Sequence, residues 1–222
     1  MKTKTLFIFA LISYFANAQF APVPTLQDKP FRFFIGGTES LGFDSFRHTQ
    51  AELKASLVHK IGSSFDAGVA LHGGFAASPN YPGILGIDFM GRYLENWNAL
   101  IFGGVQVIAG YTYNGLGLNS RSAEVASTIP ITLGPVIGLT ASKTVRIYWF
   151  PALELGRKNY ATETTFWGSQ IGCQMGLGAA INLGGPVLSL EVRPRHSWLL
   201  QSGSYQIYQF SIDTTAALVW NF

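Results

Sequence analysis

Side chains alternate between apolar and polar almost without a break from residue 30 to residue 222. The last segment shows it most clearly. Tyr208, Phe210, Ile212, Thr214, Ala216, Leu218, Trp220 and Phe222 fall on one face, and Gln209, Ser211, Asp213, Thr215, Ala217, Val219 and Asn221 on the other. A period of two belongs to an extended strand, whose successive side chains point to opposite faces. A typical strand in a soluble protein has about 5–6 residues. This run is far longer, and crossing a bilayer at a tilt takes about 9–11 residues.

The same pattern marks strands over 30–40, 50–62, 64–77, 83–96, 98–113, 126–142, 143–158, 166–184, 186–198 and 204–222. Their connections alternate in character. Gly62-Ser63, Asn96-Trp97-Asn98, Ser142-Lys143 and Gly184-Gly185-Pro186 are tight, whereas 41–49, 78–82, 114–125, 159–165 and 199–203 are longer and rich in turn formers. An even strand number with both ends on the tight-turn side describes an all-β, antiparallel, up-and-down transmembrane barrel of about ten strands. The count becomes eight or twelve if a hairpin is misread, the weakest point being 78–82 with Pro79 and Pro82.

Charge placement separates a membrane barrel from a soluble sandwich. Over 143–158, Val145, Ile147, Trp149, Leu153 and Leu155 oppose Arg146, Tyr148, Phe150, Glu154 and Lys158. Over 50–62, Leu53, Leu57 and Ile61 oppose Glu52, Lys54 and Lys60, and over 186–198, Leu188, Leu190 and Val192 oppose Glu191, Arg193 and Arg195. Asp66 and His72 lie opposite Val69 and Leu71, and Asp88 and Arg92 opposite Ile87 and Phe89. Lys29 and Glu39, at the rims of the first strand, depart from the rule. A charge facing lipid at the bilayer midplane costs about 2–4 kcal/mol, so a bilayer imposes this sorting. Scarcity of charge agrees: charged residues make up 12% of the chain and apolar ones 48%. A soluble sandwich would also alternate, but it would leave that scarcity unexplained.

The front end reads as a signal peptide over 1–18. Lys2 and Lys4 precede the apolar run Leu6 to Ile12, and Ala16-Asn17-Ala18 places small residues where a signal peptidase cuts, before Gln19. One domain then covers 19–222. Removing Lys2 and Lys4 takes the 15 basic residues to 13 against 12 acidic ones, so net charge gives no reason to expect a nucleic-acid partner. The single cysteine, Cys173, excludes an intramolecular disulfide and falls on the lipid-facing parity.

Aromatic residues collect at the strand ends. Tyr93, Trp97, Trp220 and Phe222 lie near the tight turns, and Tyr111, Tyr113, Trp167, Trp198, Tyr205 and Tyr208 near the long connections. Core packing does not drive Trp and Tyr outward in this way, whereas two membrane interfaces do. With the terminal Leu218-Val219-Trp220-Asn221-Phe222, the chain resembles small bacterial outer-membrane β-barrel proteins as a general class. The resemblance implies a Gram-negative cell envelope, tight turns and both termini in the periplasm, and lipids of the outer membrane as surroundings. It also implies that Trp220 and Phe222 form the signal read by the barrel-assembly machinery.

Candidate functional residues are the inward charges Glu52, Lys54, Lys60, Asp66, His72, Asp88, Arg92, Arg146, Glu154, Glu191, Arg193, Arg195 and Asp213. Their heights predict a pair between Lys60 and Asp66, a mid-height group of Lys54, His72 and Asp88, and a grouping of Arg193 and Arg195 with Asp213. Opposite charges at matched heights point to a polar network filling the lumen, since a buried unpaired charge is expensive. The expected role is structural or interactive, with a narrow porin-like passage for small solutes as the rival reading. An envelope-lipid-modifying enzyme ranks third. Lipid A deacylase barrels carry a lipid-facing His and Ser two residues apart, but here Trp198 follows His196 at that spacing and Ser197 turns inward. Asp44 and His48 only weakly echo the Asp and His pairs of omptin-type proteases. His59 reads as interfacial, the inward Gly172, Gly176 and Gly178 as space for bulky neighbours, and no pattern calls for a cofactor or a metal.

Overall fold

The computed structural model describes residues 29–43, 49–76, 83–116, 127–160, 166–200 and 206–222. The segment 1–18, the loop residues Asp44 and His48, and Tyr205 lie outside them. The described residues form ten strands: β1 (Phe31–Gly42), β2 (Thr49–Ile61), β3 (Phe65–Ala76), β4 (Gly83–Asn96), β5 (Ile101–Leu116), β6 (Ser127–Thr140), β7 (Val145–Tyr160), β8 (Phe166–Asn182), β9 (Val187–Leu200) and β10 (Gln206–Asn221). Each pairs antiparallel with its sequence neighbours, and β1 pairs with β10, closing the barrel. Closure leaves no strand edge and satisfies the backbone internally, the condition for a sheet in lipid.

The tight turns explain where expected strand ends shift. β5 starts at Ile101 and not at 98 because the Asn98 Oδ1 accepts the N–H groups of Leu100 and Ile101, each at 2.8 Å. The Ser142 Oγ does the same for Thr144 and Val145 at 3.1 and 3.0 Å, which ends β6 at Thr140. Gly62 and Gly184 turn with φ of 72° and 90°, a conformation costly for any residue with a Cβ. At the seam the Phe31 N–H donates to the Phe222 carbonyl and the Phe222 N–H to that of Phe31, both at 3.0 Å. Trp220 pairs with Phe33 across the same seam, ring centroids 6.2 Å apart.

The pleat then divides the chain by chemistry. Leu153 is 66% exposed, Leu71 60% and Phe89 57% on the outside, while Phe34 and Val58 are 0% exposed on the inside. A single closed sheet has no second layer to cover its outer face. That face is an apolar band of a kind soluble monomers do not carry, and it is what hydrocarbon accommodates. Cys173 and Trp198 lie on it, as do Tyr93, Trp97, Tyr111 and Tyr113 toward the strand ends.

Candidate functional site: the lumen

The inner face is layered along the strands. Counted from the tight-turn rim, Val58 precedes Lys54 and Glu52 on β2, and Ala70 precedes His72 on β3. Tyr148, Phe150 and Ala152 precede Glu154 on β7, and Val219 and Ala217 precede Asp213 on β10. The apolar members meet across the barrel. Phe34, Val58, Ala70, Met90, Phe102, Ile108, Tyr148, Ala180 and Val219 form one buried cluster, and Leu94, Val136, Phe150 and Ala152 a second. Together they form a collar drawn from β1 to β8 and β10.

Glycines on neighbouring strands make room for its rings. A Cβ on Gly178 would collide with the Tyr148 ring, and one on Gly138 with the Phe102 ring. This is the role expected of Gly178. Gly172 instead lets the β9 backbone approach, since a Cβ there would meet the His196 carbonyl, whereas a Cβ on Gly176 would come only into ordinary contact with the Glu191 Oε1.

The polar side chains sit as pairs and chains. Near the tight-turn rim the Arg92 guanidinium donates to the Asp66 Oδ2 from Nη2 at 2.6 Å and from Nε at 3.2 Å. Lys60 stands directly across from Asp66 in register, so Asp66 lies between Lys60 on β2 and Arg92 on β4. Arg32 donates from Nε to the Asn221 Oδ1 at 2.9 Å, and Arg146 is half-buried one residue inside β7.

At mid-height, the His72 Nδ1 meets the Glu52 Oε2 at 3.0 Å, the Lys54 Nζ lies 3.5 Å from the same oxygen, and the His72 Nε2 faces the Asp88 Oδ2 at 3.7 Å. The group of Lys54, His72 and Asp88 is thus assembled, with Glu52 at its centre.

On the far wall the expected grouping around Asp213 spreads further than β9 and β10. Arg193 and Asp213 are opposite each other in register, yet Arg193 donates from Nε to the Glu191 Oε1 at 2.9 Å. Tyr148 donates to the other oxygen of Glu191 at 2.8 Å. Arg195 reaches over β8 to Glu154, with Nε to Oε2 at 2.6 Å, and Gln170 donates to the Glu154 Oε1, also at 2.6 Å. Asp213 accepts from the Ser40 hydroxyl of β1 at 2.7 Å, next to the Thr38–Thr215 hydroxyl pair at 3.1 Å. Register between neighbouring strands does not reveal this reach, because the long Arg195 side chain crosses an intervening strand.

Sequence reasoning also passed over Arg32, Ser40, Gln106, Gln170 and Gln174, all buried inside. Parity alone would have found them. Several buried polar atoms have no protein hydrogen-bond partner, among them the Ser56 Oγ, His72 Nε2, Asp88 Oδ2, both amide atoms of Gln106 and the Gln170 Oε1. Buried polar groups are nearly always satisfied by protein or by water, so these mark where solvent or a ligand would be held.

Ser197 is buried inward, so it does not stand beside the half-buried His196 on the outer face. His196 instead packs against Phe210, its ring tilted by 36° with centroids 4.5 Å apart, and pairs in register with Cys173. The His59 ring nitrogen contacts the Pro30 carbonyl at 3.1 Å at the tight-turn rim and is exposed. Among the described residues no group of three or more His, Cys, Asp or Glu side chains could hold a metal ion.

An antiparallel ten-stranded barrel, apolar outside and charged within, defines an architectural class. Solved structures of outer-membrane proteins resemble this fold. The translocator domain of the autotransporter NalP from Neisseria meningitidis superposes with a TM-score of 0.52 at 11% identity, covering 100% of this chain and 96% of that one. The outer membrane protease OmpT from Escherichia coli gives 0.48 at 10% identity, over 90% of this chain and 100% of that one. Neisserial surface protein A gives 0.44 at 10%, over 87% and 97%. No family model matches the sequence, and a search among curated proteins finds no match. By fold, the chain is a β-barrel of the outer-membrane type.

Proposed function

We propose that the protein is an integral barrel of the bacterial outer membrane whose lumen is closed by its own side chains, and that it serves a structural or interaction role instead of conducting solutes. The collar carries this reading: ring and aliphatic side chains from β1 to β8 and β10 meet in the interior, Phe102, Tyr148, Phe150 and Val136 each buried to 1% exposure. Small barrels leave an interior that side chains fill, and about 16–18 strands are needed for a wide channel. The tight turns and both ends of the described chain share one rim, which in this reading faces the periplasm. Trp220 and Phe222, exposed at the seam where β10 meets β1, are then placed to be engaged during assembly.

The rival reading, a narrow passage for small solutes, draws on the unpartnered polar atoms, which imply water in part of the interior. Both readings require a membrane protein. Carbonate and high-salt washing of membranes should leave the protein in the pellet, and boiling should shift its migration in detergent gels. Release by the wash would instead make it a soluble periplasmic β-protein. Single-channel recording separates the closed barrel from the narrow pore.

A further inference from the structure

The sorting of charge has an exception on the outer wall, at the tight-turn end of β4. Glu95 shares the lipid-facing parity of Leu85, Phe89 and Tyr93, and it is exposed. The Tyr93 hydroxyl donates to its Oε2 at 2.7 Å, and among the described residues no Lys or Arg pairs with it. Trp97 follows two residues later. Its backbone N–H donates to the Ile101 carbonyl at 3.0 Å, and its ring folds onto β5 over Gly103, where a Cβ would collide with the six-membered ring. Gly103 is the residue directly across from Glu95 in register. The indole is therefore laid beside the carboxylate, with the phenol two residues deeper along β4. Tyr93 and Trp97 are 42% and 56% exposed, so both rings are open to what surrounds the rim.

We propose that Tyr93, Glu95 and Trp97 form a site on the outer wall for the primary ammonium of a phospholipid headgroup of the ethanolamine type. The inference rests on the membrane reading above, in which this rim lies in the headgroup layer of the periplasmic leaflet. Tyrosine and tryptophan favour that layer, and an outward charge costs little there. A carboxylate among lipid phosphates is repelled unless a cation joins it. A primary ammonium brings that cation together with three N–H donors. With Tyr93 on Oε2, the Oε1 of Glu95 is left to accept from it. The same ammonium gains by lying over an indole face, within about 6 Å of the ring centroid. Carboxylate and ring are side by side here because Gly103 lets the indole lie flat on the wall. A glycerol headgroup has no cation to offer either of them.

The test equilibrates the folded, full-length protein in detergent with equal amounts of phosphatidylethanolamine and phosphatidylglycerol of the same acyl chains. Native mass spectrometry then counts the lipids retained. Phosphatidylethanolamine should exceed phosphatidylglycerol by about fivefold, the scale of one exposed ion pair and one cation–ring contact. Glu95→Gln should abolish the preference. Trp97→Leu should roughly halve it, while Trp97→Phe, which keeps a ring, should hold most of it. Glu39→Gln removes another outward carboxylate, one whose register partners are Thr214 and Ala51 and not aromatic rings, and should change nothing. Soluble phosphoethanolamine at the same concentration should leave the lipid bound. Heat-modifiable migration checks that each variant is folded. Should Glu95→Gln fail to fold, the indole N–H signal of Trp97, assigned through Trp97→Phe, decides: it must shift when phosphatidylethanolamine replaces phosphatidylglycerol around the unaltered protein. No preference in the unaltered protein, a preference that survives Glu95→Gln, or an equal loss in Glu39→Gln would each overturn the proposal. Displacement by soluble phosphoethanolamine would overturn the lipid as the source and leave a free amine. A protein released by the carbonate wash would fail the membrane reading and this site with it, whereas one that stays in the membrane without a preference fails here alone.

Discussion

Two layers of the lumen are filled by opposite means. Toward the tight turns, Phe34, Val58, Phe102, Tyr148 and Val219 pack as an apolar cluster. Further from the turns, Glu52, Lys54, His72, Asp88, Glu154, Arg193, Arg195 and Asp213 fill the space with charge, while Arg32, Asp66 and Arg92 line the tight-turn rim on the other side of the collar. The collar gains by excluding water from surfaces that fit together, and a loss there scales with the volume removed. The charged layer is held by geometry. Each ion has been taken from water and depends on a named partner, so removing one side leaves the other stranded. Both layers are inside a barrel whose outer face is apolar, and the chain therefore carries two solutions to filling a lumen in one ring of strands.

Glu191→Ala should be the most damaging single change. Glu191 binds Arg193 through one oxygen and Tyr148 through the other, so it joins the charged layer to the collar. Removing the carboxylate that the buried Arg193 guanidinium and the buried Tyr148 hydroxyl share is expected to cost about 3 kcal/mol, read as a lower denaturant midpoint for unfolding from detergent. Glu191→Gln, which keeps the acceptor, should recover part of the loss. If Glu191→Ala proves silent, the charged layer is hydrated and the contrast between the layers disappears.

Phe150→Ala should cost about 3 kcal/mol by opening a cavity in the collar. Phe150 also lies under the Arg193 guanidinium, 6.0 Å from its ring centroid, so Phe150→Leu, which restores most of the volume without the ring, should fall between the two. A Phe150→Leu protein as unstable as Phe150→Ala would assign the effect to the cation–ring contact and not to packing.

The smallest of the three effects is expected at Asp213. Asp213→Ala removes the acceptor of the Ser40 hydroxyl across the β1–β10 seam, at a cost of about 1–3 kcal/mol. Asp213→Asn should lose less, since the side-chain oxygen remains. Equal losses in the two variants would show that charge, not the seam hydrogen bond, is what Asp213 supplies.

Most of the fold was legible from period and charge because lipid punishes a misplaced charge on every strand, so the signal repeats from β1 to β10. The turn residues Asn98, Ser142, Gly62 and Gly184 fixed the rest to within a few residues. The charged layer of the lumen was legible for the same reason: an inward Asp or Arg has no other face to occupy. The collar was legible only in part. Parity with Arg146 and Glu154 puts Tyr148 and Phe150 on the inner face, as parity with Lys54 and Lys60 does Val58. Which apolar side chains they meet depends on the closing of the sheet, which brings distant strands together around the lumen. Partner choice was also hidden, because Arg195 finds Glu154 over an intervening strand.

Conductance through a planar bilayer tests the closed lumen most directly. The purified barrel should give no stable openings, and the double variant Phe102→Ala/Phe150→Ala, which removes two rings of the collar, should give them. Steady openings of the unaltered protein, no larger in the double variant, would contradict the account, because ions would then be passing where the collar is supposed to stop them.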